Sequence, residues 1–279
     1  NKNDTAFMIR ALAQYFEYVV ALTATPIISD VHQFSRLRNL IDRSIAYRTS
    51  EDVSSDDDFY KAYIKINRKD FQLLGNYDVK PCWVNPMPHQ IGYIKGNVFA
   101  VTKGAGAFNQ AEALLNLLRE RADKKVIVYI RYHESRLFIE EYLKNNGIHF
   151  VSLHGRIHKI SDRQAILSTF NNGDCNVLIT SLTSSINIEA DAVIMYEYTT
   201  YVKQIIGRAH RGLRPKDLEI IFVLTRDTQE LDYFMRYIYY RSELIQNTIG
   251  KDYNEFIKLG EKVKEQMIAD GTILLAYDR

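Results

Sequence analysis

The sequence predicts an α/β fold in which a parallel β-sheet is covered by helices on both faces. The prediction depends on residues 108–225, where short apolar runs alternate with segments of helical periodicity. The apolar runs are rich in β-branched residues, as is expected for strands that are buried on both faces. The predicted strands are 126–130, 148–153, 177–180, 192–196 and 220–224.

Helical periodicity between these strands predicts helices near 109–122, 134–146, 161–171 and 201–211. The helix at 161–171 has a signal at each end. Ser161-Asp162-Arg163-Gln164 has the pattern of a capping box, and Asn172-Gly173 is a stop signal. Its expected buried stripe consists of Ile166, Leu167 and Phe170.

The flanking segments have weaker patterns. Residues 4–16 have helical periodicity and lead into a strand-like run at 18–22. The acidic, serine-containing stretch at 50–58 favours a mobile loop, and the prolines within 80–88 favour an extended linker. Past residue 227 we expect a long helix, whose tyrosines we interpret as packing residues.

Composition excludes several classes of protein. A hydrophobic share of 46% in 279 residues supports a real core, and a net charge of +2 means that any affinity for nucleic acid must come from local patches. Cys82 and Cys175 fit no metal or redox spacing, which is typical of a reducing compartment. No apolar run is long enough to span a bilayer, so we expect a soluble, cytoplasmic protein.

The most informative segment is a polar stripe on the predicted helix at 201–211. The stripe consists of Gln204, Gly207, Arg208 and Arg211. Residues three or four apart project to the same side of a helix, and a glycine among them lets another surface come close. A guanidinium stays charged and can bind two phosphate oxygens, so the stripe suits a polyphosphate. A solvated basic helix end is the alternative, because Arg214 follows.

The stripe resembles motif VI of superfamily 2 helicases, Gln-x-x-Gly-Arg-x-x-Arg, and Gly-Arg-Ala-His-Arg at 207–211 resembles the Swi/Snf-like DNA translocases within that superfamily. The resemblance implies a RecA-like, P-loop NTPase-like fold with helical flanks. It also implies that Arg208 and Arg211 act as arginine fingers toward ATP on another lobe, with Gln204 and Gly207 facing the same nucleotide. Arginine fingers stabilise the charge that develops on the transferred phosphoryl group.

Other segments resemble further motifs of these helicases. Thr23-Ala24-Thr25 resembles motif III, which couples the two motor lobes, while Val126–Arg131, Leu153–Arg156 and Val177–Ile188 resemble motifs IV, IVa and V. The resemblance implies contacts to the nucleic-acid phosphate backbone from Arg131, His154, Arg156, Thr180 and Ser181.

These motifs imply a domain organisation. Residues 1–45 would be the tail of the first RecA-like lobe, 46–107 the connector, 108–227 the second RecA-like lobe and 228–279 a helical extension.

Parts of the sequence depart from the family. Residues 184–188 lack the glycines of motif V, and Glu197-Tyr198-Thr199-Thr200 replaces the usual Asp-x-x-Trp-Asn-Pro. The sequence also contains neither a Gly-x-x-x-x-Gly-Lys-Ser/Thr phosphate loop nor an acidic magnesium motif. We therefore expect ATP and Mg²⁺ to be bound mainly by a first lobe outside this sequence, and the chain alone to be inactive as an ATPase.

The resulting hypothesis is the C-terminal portion of an ATP-dependent helicase or double-stranded DNA translocase, with nucleic acid and an N-terminal motor lobe as partners. Two alternatives stay open: a non-catalytic RecA-like module that binds nucleic acid or protein, and an RNA helicase of the same superfamily. A zinc site at His154 and His158 is not predicted, because no third ligand is near them in the sequence.

Overall fold

The computed structural model describes residues 77–181, 188–200, 202–209, 217–249 and 253–271, together with residues 8, 11, 12, 15 and 16. Among the elements of these ranges, residues 77–243 and 253–271 belong to one compact unit, and residues 244–249 belong to a second. The predicted motif III, Thr23-Ala24-Thr25, and the predicted loop at 50–58 lie outside the described residues.

Six parallel strands form one sheet in the order β1-β6-β5-β2-β4-β3. The strands are β1 (Tyr77–Val84), β2 (Val126–Tyr129), β3 (Val151–Leu153), β4 (Val177–Thr180), β5 (Ala192–Met195) and β6 (Leu218–Thr225). The central strands β2, β4 and β5 are buried along their whole length, which explains their Val and Ile content. The fold class predicted from the sequence is confirmed.

The helices follow the strands in chain order. They are α1 (Val98–Thr102), α2 (Phe108–Arg119), α3 (His133–Asn145), α4 (Ile160–Asn172), α5 (Val202–Ala209), α6 (Gln229–Phe234), α7 (Tyr240–Ile249) and α8 (Asn254–Ala269). A π-helical segment, Met235–Tyr239, joins α6 to α7, so the long helix predicted after residue 227 is present with an irregular centre. A short 3₁₀ turn lies at Pro88–Gln90.

Helices cover both faces of the sheet. The chain crosses the sheet in one direction from β1 to β2 and from β2 to β3, and in the opposite direction from β3 to β4 and from β5 to β6. Because each crossover is right-handed, α2 and α3 lie on one face of the sheet, and α4 and α5 lie on the other. The buried residues of α2 and α3 pack on Val126 and Val128 of β2 and on Ile130, which follows it. On the opposite face, Phe222 contacts the rings of Phe234 and Phe256 from α6 and α8.

Strand β1 corrects the interpretation of residues 80–88 as a linker. Tyr77–Val84 pairs in parallel with all of β6 and forms the edge of the sheet. It lies well before residue 108, where the sequence analysis began the lobe. An edge strand has a neighbour on one side only, so a proline such as Pro81 can be accommodated where the missing N–H would point away from that neighbour.

The ends of two elements also differ from the predictions. Helix α4 begins at Ile160 after the N-cap Lys159, so the predicted capping box at Ser161 is wrong, because Ser161 lies inside the first turn. The hydroxyl of Ser161 donates instead to Asp162 Oδ1 at 3.2 Å. The predicted stop is confirmed, since Gly173 caps the helix at φ 87°, where a glycine has no Cβ to strain. Strand β3 is shorter than predicted and starts at residue 151.

A buried ion pair connects the turn after α1 to helix α6, which follows the last strand of the sheet. Lys103 Nζ lies 3.2 Å from Glu230 Oε1, and both side chains are fully buried. Lys103 also donates to the carbonyl oxygen of Val223 in β6 at 2.8 Å. Burial lowers the pKa of Lys103 and raises that of Glu230, and the attraction between the two groups opposes both shifts.

We expect Glu230→Ala to lower the free energy of unfolding by about 3–5 kcal/mol, because it leaves the Lys103 ammonium buried without its partner. Urea denaturation measures the change. Glu255→Ala is the matched control, since Glu255 forms an exposed pair with Lys258 at 2.9 Å and should contribute about 1 kcal/mol or less. Equal losses in the two variants would contradict a structural role for the buried pair.

Candidate nucleic-acid interface

The carboxyl ends of β2, β4 and β3 lie side by side and bring the predicted phosphate contacts together. Arg131 follows β2, Ser181 follows β4, and His154 and Arg156 follow β3. Neighbouring strands are about 4.8 Å apart, so these positions fall within roughly 10 Å across the sheet. We call Arg131, His154, Arg156 and Ser181 the carboxyl-edge residues. Open α/β sheets bind their ligands at this edge.

The carboxyl-edge residues differ in how far they are exposed. Arg131 and Arg156 are exposed, whereas His154 and Ser181 are half-buried. Thr180 is fully buried as the last residue of β4, and its carbonyl oxygen accepts the Ile130 N–H at 2.9 Å. Ser181, and not Thr180, is therefore the residue whose side chain is accessible at the surface.

The charge at this edge comes from arginine and not from His154. Burial lowers the pKa of His154, and the positive charge of nearby Arg136 lowers it further. The imidazole is therefore neutral at neutral pH. The guanidinium of Arg131 lies 5.2 Å from the centroid of the Tyr132 ring, a distance at which a cation is attracted to an aromatic face.

A buried carboxylate holds the backbone beneath Arg131. Glu197 follows β5, is fully buried, and its Oε2 accepts the N–H of Arg131 at 2.7 Å and that of Tyr132 at 2.8 Å. Burial raises the pKa of Glu197 to about 7, against the two backbone hydrogen bonds. Glu197 thereby joins the carboxyl ends of β5 and β2. In the sequence, Glu197 is distinguished only by its departure from the Asp-x-x-Trp-Asn-Pro motif.

A chain of side-chain contacts connects the end of β3 with the first turn of α3. The hydroxyl of Ser152 and a guanidinium N–H of Arg136 both donate to Glu140 Oε1. Arg136 Nη2 then lies 2.9 Å from His133 Nδ1, and Arg156 Nη1 lies 2.7 Å from His133 Nε2. We call these five residues the His133 chain. Helical spacing places His133, Arg136 and Glu140 on one side of α3, but no pattern in the sequence relates them to Ser152 or Arg156.

Helix α5 has the exposed and buried sides that the stripe prediction requires. Its buried residues are Val202, Ile205, Ile206 and Ala209. Gln204 is half-buried and Gly207 is exposed, and a Cβ added to Gly207 would meet no atom within 4 Å. The backbone of Arg208 belongs to α5. The side chain of Arg208 and all of Arg211 lie outside the described residues, so their roles stay predictions.

The described ranges contain neither a metal-binding cluster nor a membrane-spanning helix. No group of three or more His, Cys, Asp or Glu side chains there is arranged to hold a metal ion. Within the same ranges, no helix has both the length and the apolar character needed to cross a membrane.

Glu197 gives a pH dependence that can be measured. Its pKa is raised from 4.5 in the unfolded chain to about 7 in the fold, so the folded state binds more protons and stability decreases as pH rises between those values. Relative to wild type, Glu197→Gln should gain about 2 kcal/mol of unfolding free energy between pH 5 and pH 8. Urea denaturation at the two pH values tests this, and a constant difference between the proteins would contradict the assignment.

Part of the chain that contains this site is similar to a known helicase domain. Residues 109–213 match the helicase conserved C-terminal domain. The uncharacterized ATP-dependent helicase YqhH of Bacillus subtilis is 24% identical over 140 residues, and the ATP-dependent RNA helicase DBP3 of Candida albicans is 27% identical over 109 residues. These alignments cover 48% and 37% of this chain but 25% and 19% of the relatives, so the chain spans a quarter or less of their length.

Solved structures also match. The C-terminal part of the Fun30 ATPase domain has a TM-score of 0.43 at 20% identity, covering 58% of this chain and 54% of that one. S. cerevisiae Dbp5 bound to RNA and ADP BeF3 has a TM-score of 0.47 at 16% identity, covering 84% and 58%. The domain match extends from α2 past α5 and includes the carboxyl edge.

Proposed function

We propose that this chain supplies the second, C-terminal motor lobe of an ATP-dependent helicase or double-stranded DNA translocase. The observation that carries the proposal is that the segment that matches the helicase domain contains both an arginine-bearing carboxyl edge and a helix on which Gly207 is exposed and Gln204 is half-buried. The carboxyl edge can hold a phosphate backbone, and the side of α5 that carries Gly207 can face a nucleotide. A motor lobe needs both surfaces.

The nucleotide-facing part is the stripe on α5. The space beside Gly207 is open, which fits a nucleotide presented from outside this sheet. When bound with Mg²⁺ on another lobe, ATP supplies the phosphoryl group whose transfer builds negative charge on its oxygens. In this proposal Arg208 and Arg211 donate to those oxygens from positions three residues apart, and Gln204 helps to hold the nucleotide.

The nucleic-acid-facing part is the carboxyl edge. Arg131 and Arg156 offer exposed guanidinium groups, while His154 and Ser181 offer neutral hydrogen-bonding groups beside them. Such groups suit phosphate oxygens, which are the same at every base, so the grip is independent of sequence. Thr180 would act through its backbone position in β4.

We favour duplex DNA as the substrate because Gly-Arg-Ala-His-Arg at 207–211 resembles the form of the motif in Swi/Snf-like translocases. RNA is the alternative, and one of the relatives is named as an RNA helicase. A non-catalytic binding module is the rival from another class. It requires the carboxyl edge but gives no role to Arg208 and Arg211.

We expect the isolated chain to bind nucleic acid weakly, without sequence preference and with strong dependence on salt, because one lobe neutralises only a few phosphates. Titration of labelled DNA and RNA duplexes of unrelated sequence at several salt concentrations measures this. Sequence-selective binding, or binding that salt does not weaken, would contradict a backbone grip. Tighter binding of RNA would transfer the proposal to the RNA helicases.

In a protein that contains both lobes, we expect Arg208→Lys and Arg211→Lys each to lower nucleic-acid-stimulated kcat by about 10² or more, with a much smaller effect on ATP affinity. Lysine keeps the charge but loses the planar contact to two oxygens, which is needed most in the transition state. Steady-state ATPase kinetics separates the two effects.

Arg214→Lys is the matched control and should stay near wild type. Equal behaviour of the three variants would reduce the stripe to a solvated basic face. Magnesium-dependent ATP turnover by the purified 279-residue chain alone would contradict the assignment to a second lobe.

A further inference from the structure

Helices α2 and α3 bring three aromatic side chains together at the surface. Phe108, the first residue of α2, is 53% exposed. The centroid of its ring lies 5.6 Å from that of Phe138 and 6.4 Å from that of Tyr142, which are half-buried residues of α3. The Phe138 and Tyr142 centroids are 6.2 Å apart. We call these three residues the aromatic patch, because their rings form one contiguous surface.

Packing within the fold does not account for the whole aromatic patch. The two helices cover the sheet with fully buried side chains such as Leu114 and Ile139. Phe138 and Tyr142 pack against this core with part of their surface, whereas Phe108 is not part of it. Single exposed apolar residues are normal on a soluble protein, but contiguous ones mark contact surfaces.

Three exposed carboxylates lie beside the aromatic patch. Glu112 is four residues after Phe108 in α2, while Glu134 and Glu141 are four residues before and three residues after Phe138 in α3. Residues at these spacings are neighbours on the surface of a helix. None of the three carboxylates forms an ion pair with a described residue. We call Glu112, Glu134 and Glu141 the acidic border.

The exposed cations of these helices lie toward the opposite helix ends. Arg119 and Lys144 are in the last turns of α2 and α3, whereas Phe108 and Glu134 are in the first turns. Lys144 is three residues after Glu141, but the two side chains form no ion pair. Carboxylates without a partner therefore adjoin the aromatic rings, and such a surface attracts cations.

We propose that the aromatic patch and the acidic border dock a short segment of a partner protein, in which an apolar or aromatic side chain is flanked by lysine or arginine. The apolar side chain packs on the exposed ring of Phe108. The cations of the segment pair with the carboxylates and lie over the neighbouring rings. The acidic border repels nucleic acid and anionic lipid, so a basic protein segment is the occupant that this surface favours.

The size of the surface indicates a segment and not a whole domain. A standard interface between two folded proteins takes about 20–30 residues from each side, whereas three rings and three carboxylates form this one. Short segments bind such surfaces through a few anchoring side chains, which in a helix lie three or four residues apart.

The aromatic patch is separate from the surface proposed for the nucleotide. Helices α2 and α3 lie on the face of the sheet opposite α5, on which Gly207 is exposed. A partner on the patch therefore leaves the stripe on α5 accessible. Glu134 is the border carboxylate nearest the carboxyl edge, three residues after Arg131, so the test changes Glu112 and Glu141.

The first experiment selects short random peptides, displayed on phage, against the full chain. We expect wild type to enrich peptides that combine an apolar or aromatic residue with lysine or arginine. The variant with Glu112→Lys and Glu141→Lys should enrich aspartate and glutamate instead, because its border has changed sign. The variant with Glu261→Lys and Glu265→Lys is the matched control and should keep the wild-type preference. Both residues are exposed on α8, which packs on the other face of the sheet.

The second experiment measures the affinity of one enriched basic peptide by fluorescence anisotropy. We expect Phe108→Ala to weaken binding about tenfold, as is usual for an anchoring aromatic residue. The double reversal at the border should weaken binding by about as much, while the control at α8 stays near wild type. Phe108→Ala should unfold at nearly the same urea concentration as wild type, since its ring is largely exposed, and this separates a lost contact from a lost fold.

Three outcomes overturn the proposal. In the first, the enriched peptides lack lysine and arginine, or they bind the patch and border variants as tightly as wild type. In the second, analytical ultracentrifugation shows a dimer that Phe108→Ala dissociates, so that a second copy of the chain is the occupant. In the third, Phe108→Ala abolishes binding of labelled DNA or RNA, which assigns the aromatic patch to nucleic acid.

Discussion

Parallel pairing of all six strands is the constraint on which the site depends. In such a sheet every strand ends at the same edge, so residues far apart in sequence meet there without any local signal. Arg131, Ser181 and His154 come together because β2, β4 and β3 are neighbours. Their backbone positions are fixed by the ladder hydrogen bonds of buried strands. The loops after the strands can then carry polar side chains without supporting the fold.

Glu197 holds the loop after β2 in place, in addition to the strands themselves. It joins the end of β5 to the loop after β2, and α5 begins five residues later at Val202. The start of α5 is therefore separated from the backbone of Arg131 by five residues of chain and the hydrogen bond of Glu197. This is the kind of connection that a lobe needs if nucleotide contacts on α5 are to affect its grip on a phosphate backbone.

The sequence was a good guide where local pattern determines structure. Apolar runs located β2, β4, β5 and β6, and Gly173 marked the end of α4, because burial and backbone conformation act on nearby residues. It failed where tertiary pairing outweighs local preference, as for Pro81 in β1. The contacts of Glu197 could not have been found from spacing, since its partners lie 65 or 66 residues away, and neither could the contact between His133 and Arg156, which lie 23 residues apart. Carrying motif residues over from a family selects positions, but it does not show which side chains contact each other.

The distribution of charge explains how a nearly neutral chain can carry a site for an anion. Away from the carboxyl edge, Arg121 is matched within the fold: it donates to Glu219 at 2.6 Å, and this contact lowers the pKa of Glu219 to about 2. Arg136 is matched in the same way by Glu140. Among the described residues, Arg131 and Arg156 have no carboxylate partner although they lie at the edge where the strands end. A net charge of +2 therefore understates the local field at this edge, because charges that are paired elsewhere in the fold contribute little to it.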